Sequence, residues 1–252
     1  MAGAALPGRL AWYTAAILER RSESETARTL ALNVPGWPGH YAGQHVDVRL
    51  RAADGYTAVR SYSIANAVEG DRLELTIEEL ADGEVSPYLT ETIEPGDPLE
   101  IRGPVGGWFV WRPEATEPVQ LVAGGSGIVP LMAMIRTRSQ AQSRSPFRLL
   151  YSVRSPAATI YAQELARRAR DDDGLMPTYA YTRATPPDWP RPAGRIDAAL
   201  IAEAAFSPTQ NPACFVCGPT PFVEAVAALL AQAGYDASRI KTERFGPTGG
   251  SL

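Results

Sequence analysis

The chain has 252 residues, of which 45% are hydrophobic and 21% charged, as in a globular protein with one large or two medium domains. Its net charge of −4 gives no reason to expect a protein that binds nucleic acid or a membrane surface. Because no apolar run reaches the roughly 20 residues that a membrane-spanning helix needs, the sequence predicts a cytoplasmic protein.

The first apolar run, LAWYTAAIL at residues 10–18, resembles the core of a signal peptide. It is followed at once by ERRSESE, which lacks the small residues of a cleavage site. We therefore expect a first β-strand here.

Up to residue 112, short β-rich runs alternate with turn signals. The runs HVDVRL, VRSYSIAN, RLELTIEEL and PLEIRGP are separated by ADG, VEGD, ADGE and EPGD. Short strands separated by turns that contain glycine or proline are typical of an antiparallel sheet. The sequence predicts an antiparallel β-barrel domain over residues 1–112.

The RSYSIAN segment places side chains that could bind a ligand on one predicted strand. Arg60, Tyr62 and Ile64 share one face, because alternate residues of a strand point the same way. A cation, a flat ring and the hydroxyl of Ser63 fit either an ordinary barrel edge or a surface for a planar ligand that bears phosphate.

The pattern of predicted secondary structure changes at WRPEATEP, residues 111–118. Beyond it the runs QLVAGG, FRLLYSV, PTYAYTR, ACFVCGP and RIKTERF follow one another, and each but the last precedes a helix-compatible stretch. Alternation of strands and helices predicts an α/β domain over residues 118–252, with a five-stranded parallel sheet covered on both faces.

The stretch VAGGSGIVPLMAMI predicts a strand, a glycine turn and a helix with Pro130 in its first turn. Such a turn lets backbone amides and the helix N-terminus approach a pyrophosphate. It departs from the G-x-G-x-x-G fingerprint, because Pro130 stands where the third glycine would be.

The second and third parallel strands end in basic and hydroxyl residues. The second ends with Arg154 and Ser155, and the third with Thr182 and Arg183. An acidic residue would bind a free ribose 2′-hydroxyl, whereas arginine suits a 2′-phosphate. The alternative is that both arginines are simply solvated.

Both cysteines, Cys214 and Cys217, lie in ACFVCGP, far in sequence from the histidines His40 and His45. Residues three apart in a strand point to opposite faces, which argues against a disulfide, and too few ligands are present for zinc or an iron–sulfur cluster. We expect no metal site. Cys217 should face the crevice at the strand end, unless it is only a small buried apolar residue.

In order along the chain, RSYS, GEVS, GGSGIVP, CGP and ERF resemble the motifs of the ferredoxin-NADP reductase superfamily, here without a fused iron–sulfur domain. The resemblance covers nearly the whole chain. It implies that the barrel binds a flavin and that the second domain binds a nicotinamide nucleotide.

The resemblance implies roles for the flavin-site residues. Arg60 would pair with the flavin phosphate or lie along the phosphate–ribityl chain, and Tyr62 would stack on the isoalloxazine. Ser63 would hydrogen-bond near N5, and Ile64 beside it would also belong to the binding site. The GEVS residues would hold a pyrophosphate, which favours FAD over FMN; they are Gly83, Glu84, Val85 and Ser86. Ser86 is also a candidate N-cap for the helix that follows, and both roles are compatible.

The resemblance also implies a nucleotide site for NADPH, with NADH possible. Its binding residues would be Gly125, Ser126, Gly127, Arg154, Ser155, Thr182, Arg183, Cys217, Gly218 and Pro219. Ser63, Cys217 and Glu243 would form the catalytic set, and Phe245 would cover the other flavin face until the nicotinamide displaces it. The tail GPTGGSL is longer than in members that end at an aromatic residue, so its placement stays open.

The function implied is an FAD-dependent reductase that takes hydride from NADPH and passes electrons to a separate ferredoxin, flavodoxin or oxygenase component. One alternative is a reductase of free flavin or another small molecule. Another is a flavin-bearing electron-transfer or regulatory subunit that makes no productive use of NAD(P)H. Neither nucleic acid nor membrane is an expected partner.

Overall fold

The computed structural model describes residues 10–51, 55–80, 82–171 and 174–246. These residues form a six-stranded antiparallel sheet followed by a five-stranded parallel sheet, in the order of architectures that the sequence predicts. The strands of the first sheet are β1 (Trp12–Ser22), β2 (Ala27–Asn33), β3 (His45–Arg51), β4 (Thr57–Ser63), β5 (Arg72–Glu78) and β6 (Pro98–Val105). Those of the second are β7 (Val119–Gly124), β8 (Phe147–Val153), β9 (Leu175–Tyr181), β10 (Ala213–Pro219) and β11 (Ile240–Phe245).

The first sheet curls into a barrel. Its strand order is β4-β3-β6-β1-β2-β5, and an antiparallel bridge between Ile64 and Leu75 brings the two outer strands together. Alternate residues such as Val46 and Val48 point inward and are fully buried. The barrel therefore has a core of its own.

Strand β2 is absent from the sequence-based prediction, which has one strand too few in the barrel. Most of its residues are buried, because β1 and β5 pair with its two edges while the barrel core and the second domain cover its faces. Strand β1 also extends beyond the apolar run to Ser22. Its backbone pairing continues through Arg20 and Arg21, whose charged side chains form ion pairs at the surface.

The second sheet has the order β11-β10-β7-β8-β9 and carries helices as predicted. Across the described residues the α-helices are α1 (Ile128–Gln140), α2 (Ala162–Asp171), α3 (Ala198–Ala204) and α4 (Thr220–Gln232). A π-helical turn spans Tyr88–Thr92, and 3₁₀ turns span Gly125–Gly127, Pro156–Ala158, Pro208–Gln210 and Ala237–Arg239. Because all the strands of this sheet are parallel, their carboxyl ends meet at one edge.

The segment that joins the two sheets is buried between them. The Phe109 ring lies 5.4 Å from that of Phe215, and the Trp111 ring lies 5.0 Å from that of Phe147, both edge to face. These contacts join the two sheets in one apolar cluster. The domain boundaries at residues 112 and 118 remain a prediction.

Candidate functional site

A cleft of about 470 Å³ lies at the carboxyl ends of the parallel strands, where it also borders the barrel. Most of its lining comes from the carboxyl ends of β7, β8 and β10 and from the loops that follow β7, β8 and β9. The lining residues are Ser24, Glu25, Thr26, Glu78, Gly124, Gly125, Ser126, Ser152, Val153, Arg154, Ser155, Ala157, Ala158, Thr182, Arg183, Pro219, Phe222 and Phe245.

The glycine turn between β7 and α1 forms the floor of this cleft. Gly125 has a φ of +55°, a conformation that L side chains rarely adopt. A Cβ on Gly127 would lie 2.1 Å from the backbone oxygen of Cys217, so only glycine lets α1 begin this close to β10. Helix α1 thus directs its N-terminal amides, with their positive partial charge, toward the cleft.

Two exposed arginines stand along the cleft, as the sequence predicts. The loops after β8 and β9 are tied together by backbone bonds from Thr182 N to Val153 O (2.8 Å) and from Arg183 N to Arg154 O (2.9 Å). Neither the Arg154 nor the Arg183 guanidinium forms an ion pair with a described residue. The cleft therefore offers two cations to an anionic ligand.

The three predicted catalytic residues come together where the two sheets meet. Ser63 Oγ, at the end of β4, donates a hydrogen bond of 3.4 Å to Glu243 Oε1 on β11. Cys217 Sγ, on β10, lies 4.0 Å from the same oxygen. A hydroxyl, a carboxyl and a thiol from three strands thus form one cluster.

The surroundings of this cluster favour its neutral forms. Burial raises the pKa of the Glu243 carboxyl to about 7, although the hydrogen bond from Ser63 acts the other way. Burial, and then the charge of Glu243, raise the pKa of the Cys217 thiol well above its usual value. The thiol is therefore protonated at neutral pH, whereas Glu243 can exchange a proton there.

The two cysteines do not form a disulfide. Both thiols are free, and the two side chains enter different apolar clusters on opposite faces of the sheet. This placement confirms the expectation for residues three apart in a strand. Cys217 is 1% exposed, packs in the apolar cluster between the two sheets and is not among the residues that line the cleft, so its predicted place in the crevice stays a prediction.

The barrel residues predicted to bind the flavin lie along and beside β4. The Arg60 guanidinium donates to Glu84 Oε2 at 3.1 Å, and both side chains are more than half exposed, at 51% and 58%. Tyr62 packs against the barrel core, and burial raises the pKa of its hydroxyl to about 12. Ile64 is fully buried, so only its backbone can reach a ligand.

The loop that contains Ser86 is compact. The Ser86 hydroxyl accepts a hydrogen bond from the backbone N–H of Leu80 at 3.0 Å. The suggestion that Ser86 caps the following helix is wrong, because the cap position of that turn is Pro87 and no side chain bonds there. Val85 is buried, and a Cβ on Gly83 would lie 2.8 Å from Ser86 Oγ. A pyrophosphate contact here remains a prediction.

Phe245 closes the cleft at the end of β11. It is 37% exposed and lines the cleft together with Pro219 and Phe222. Gly218, in contrast, lies against the Phe222 ring, where a Cβ would approach to 2.6 Å. Residues 247–252 of the tail, whose placement the sequence left open, lie outside the described residues.

The barrel side of the cleft was not predicted. Ser24, Glu25 and Thr26, between β1 and β2, and Glu78, at the end of β5, face the parallel sheet across the cleft. The signal was present in ERRSESE, since a polar run between two strand-like runs is typical of a hairpin loop. It was missed because β2 was not recognised.

Over the part of the chain that the structure describes, no three His, Cys, Asp or Glu residues are grouped so that they could hold a metal ion. Within the same residues, no helix has the length and apolar character to span a membrane.

Comparisons with known protein families match both halves of the chain. The model of the oxidoreductase FAD-binding domain matches residues 14–110. The model of the oxidoreductase NAD-binding domain matches residues 121–228. The first match spans the antiparallel sheet, and the second spans the parallel sheet except β11.

Individual relatives support the same assignment. The chain is 32% identical to the glycine betaine monooxygenase reductase subunit of Pseudomonas aeruginosa over 82% of this chain and 56% of the relative. It is 27% identical to a flavohemoprotein of Deinococcus radiodurans over 98% of this chain and 62% of the relative. The chain thus spans between about half and two thirds of the length of these relatives.

Solved structures share the arrangement of the two sheets. The FAD/NAD-binding domain of nitric oxide dioxygenase from Vibrio cholerae superposes with a TM-score of 0.84 at 25% identity. The match covers 93% of this chain and 99% of that one.

Proposed function

Because the chain belongs to the ferredoxin-NADP reductase superfamily of FAD- and NAD-binding oxidoreductases, we propose that it is an FAD-dependent reductase that oxidises NADPH. In this proposal the electrons pass to a separate acceptor such as ferredoxin, flavodoxin or an oxygenase component. The name of the Pseudomonas aeruginosa relative, a reductase subunit of a monooxygenase, supports a protein acceptor. A cytoplasmic location is part of the same proposal, and cell fractionation would test it.

The observation that carries the proposal is the cluster of Ser63, Cys217 and Glu243 beside the cleft. Ser63 belongs to the barrel and the other two belong to the parallel sheet. A site at which two ligands must meet needs groups from both domains at one point. This cluster is suited to that task.

The barrel residues fit FAD. Arg60 is held by one exposed ion pair, which a phosphate can replace, and Tyr62 offers an aromatic ring beside Ser63. When bound, the flavin accepts hydride from the nicotinamide and releases electrons singly. In our proposal Ser63 orients the acceptor atom through its hydroxyl, while Glu243 holds or releases a proton at its carboxyl.

The cleft fits a dinucleotide. Gly125 and Gly127 let the backbone approach a pyrophosphate at the N-terminus of α1. Arg154 and Arg183, which have no ion pair among the described residues, are suited to the 2′-phosphate of NADPH. Phe245 would leave its position over the flavin when the nicotinamide enters.

An anaerobic titration tests the proposed function. The purified protein should be yellow, release FAD on denaturation and lose its flavin absorbance when NADPH is added. Rapid reoxidation by a [2Fe–2S] ferredoxin would support a protein acceptor. Reoxidation only by free flavin would favour a small-molecule reductase, and no bleaching with either nucleotide would favour an electron-transfer or regulatory subunit.

The two arginines predict a preference for NADPH over NADH. A charge-assisted contact to a phosphate is worth roughly 1.5 to 3 kcal/mol, so losing one should reduce the preference about tenfold or more. The measurement is kcat/KM for both nucleotides in the parent protein, Arg154→Ala and Arg183→Ala. A parent that prefers NADH, or two variants with an undiminished preference, would assign these arginines to the solvated surface.

Glu243 predicts a pH dependence of stability. The pKa of its carboxyl rises from 4.5 to about 7 on folding, so the folded chain binds this proton more tightly than the unfolded chain. The stabilisation is complete below pH 4.5 and is lost as the pH rises through about 7. Glu243→Gln should flatten this part of the profile, as followed by urea unfolding of both proteins across that range. Parallel profiles would contradict the assignment.

A further inference from the structure

The side chain of Arg136 joins the two domains. It projects from the middle of α1, the helix that begins at the glycine turn, and is 12% exposed. Its Nη1 donates to the backbone oxygen of Ala65 at 2.9 Å and to Glu74 Oε2 at 3.1 Å, both in the barrel domain. Its Nε and Nη2 donate to Glu164 on α2 at 3.2 and 2.6 Å. One guanidinium therefore binds three segments that are distant in sequence.

The charges around Arg136 hold it firmly in this position. Glu74 and Glu164 face the guanidinium from opposite domains, and the Tyr161 ring lies 5.0 Å away. The planar fork of arginine can donate to several acceptors at fixed angles, which a lysine ammonium cannot reproduce. The arrangement of Arg136 with Glu74 and Glu164 is well defined, because leaving either buried carboxylate without its partner would cost free energy.

The contact with Ala65 lies close in sequence to Ser63, a member of the cluster that also contains Cys217 and Glu243. Ala65 is two residues beyond Ser63, and its N–H donates to the backbone oxygen of Glu74 at 2.8 Å. Both polar groups of its backbone are thus fixed, one by the barrel and one by Arg136. Ser63 meets Glu243 only through a long hydrogen bond of 3.4 Å, which is too weak to set the spacing between the domains.

We propose that Arg136 is a positioning residue for hydride transfer, acting through the segment that carries Ser63. By holding the Ala65 carbonyl against α1, it sets the distance between the flavin-binding strand and the helix that receives the nucleotide pyrophosphate. This inference rests on the proposed function, because it concerns the meeting of flavin and nicotinamide.

The effect should appear in the rate at saturating nucleotide, and much less in binding. A misplacement of about 1 Å between reacting groups can reduce a rate on the order of 100-fold. Because Arg136 touches neither the cleft lining nor Arg60 and Tyr62, the dissociation constants for FAD and for NADPH should change less than about threefold.

The test compares Arg136→Met and Arg136→Lys with Arg168→Gln as a matched control. Arg168 donates to the same carboxylate, Glu164 Oε1, at 2.8 Å and is similarly buried, but its bond stays within α2. Anaerobic stopped-flow reduction of the FAD-loaded proteins over a range of NADPH concentrations separates the limiting rate from nucleotide affinity. We expect the limiting rate to fall at least tenfold in Arg136→Met and less in Arg136→Lys, with the control near the parent.

The other outcomes are distinguishable. A lower melting temperature with a parental limiting rate in both Arg136 variants would make Arg136 a purely structural clamp and overturn the inference. An equal loss in Arg168→Gln would attribute the effect to the charge of Glu164 and also overturn it. If Arg136→Met does not fold, Arg136→Lys decides. A parent that neither NADPH nor NADH reduces refutes the proposed function itself, and the inference fails with it.

Discussion

Gly127→Ala is expected to lower the free energy of unfolding by about 3 kcal/mol, near the upper end of the effects of overpacking a core. A Cβ at this position would lie 2.1 Å from the oxygen and 2.4 Å from the carbon of the Cys217 carbonyl. Strand β10 cannot retreat, because it pairs with β7 on one side and with β11 on the other. Helix α1 must move instead, and the glycine turn would then be displaced from the cleft.

Urea unfolding of the parent and the variant measures this effect. Gly107→Ala is the matched control, because a Cβ on Gly107 would meet no heavy atom within 4 Å and its φ lies outside the left-handed region. The control should stay within about 1 kcal/mol of the parent. Equal stabilities of Gly127→Ala and the parent would show that α1 and β10 separate without cost, against the close contact described above.

Tyr62→Ala is expected to weaken FAD binding by about thirtyfold. Stacking of an aromatic side chain on a base is worth roughly 1 to 3 kcal/mol, and 1.4 kcal/mol corresponds to tenfold in affinity. Tyr62 already packs against the barrel core, so no large rearrangement is needed to present its ring beside Ser63. The FAD dissociation constant, measured by fluorescence, reports the loss.

Tyr62→Phe separates the ring from the hydroxyl. It keeps the aromatic face and should bind FAD within about threefold of the parent, because the stacking area is preserved. If Tyr62→Ala binds FAD as tightly as the parent, the ring belongs to the barrel core alone. If both variants lose affinity equally, the hydroxyl contributes more than stacking.

The sequence was most informative where function depends on strand ends. Arg154 and Arg183 were located correctly because parallel strands bring their carboxyl ends to one edge whatever the details of packing. The resemblance named Ser63, Cys217 and Glu243 as catalytic candidates, and the structure brings their side chains together. In these cases local order along the chain determines position in space.

The sequence was least informative where distant segments meet. Arg136 contacts Ala65 and Glu74, which are 71 and 62 residues away, and no local pattern marks such partners. An arginine within a helix-compatible stretch is usually an exposed surface residue, so its burial depends on the docking of the two domains. The barrel residues of the cleft could not be predicted for the same reason, since Glu25 reaches the cleft only after β2 has paired with its neighbours.

The buried connection between the two sheets has a consequence for how the protein loses its structure. Phe109 and Trp111 share an apolar cluster with Phe147 and Phe215, so neither domain can separate without exposing aromatic surface of the other. The protein should therefore melt as a single cooperative unit, although its two halves match two different family models. We therefore expect any motion that admits a ligand to occur in the loops at the rim of the cleft, without separation of the two domains.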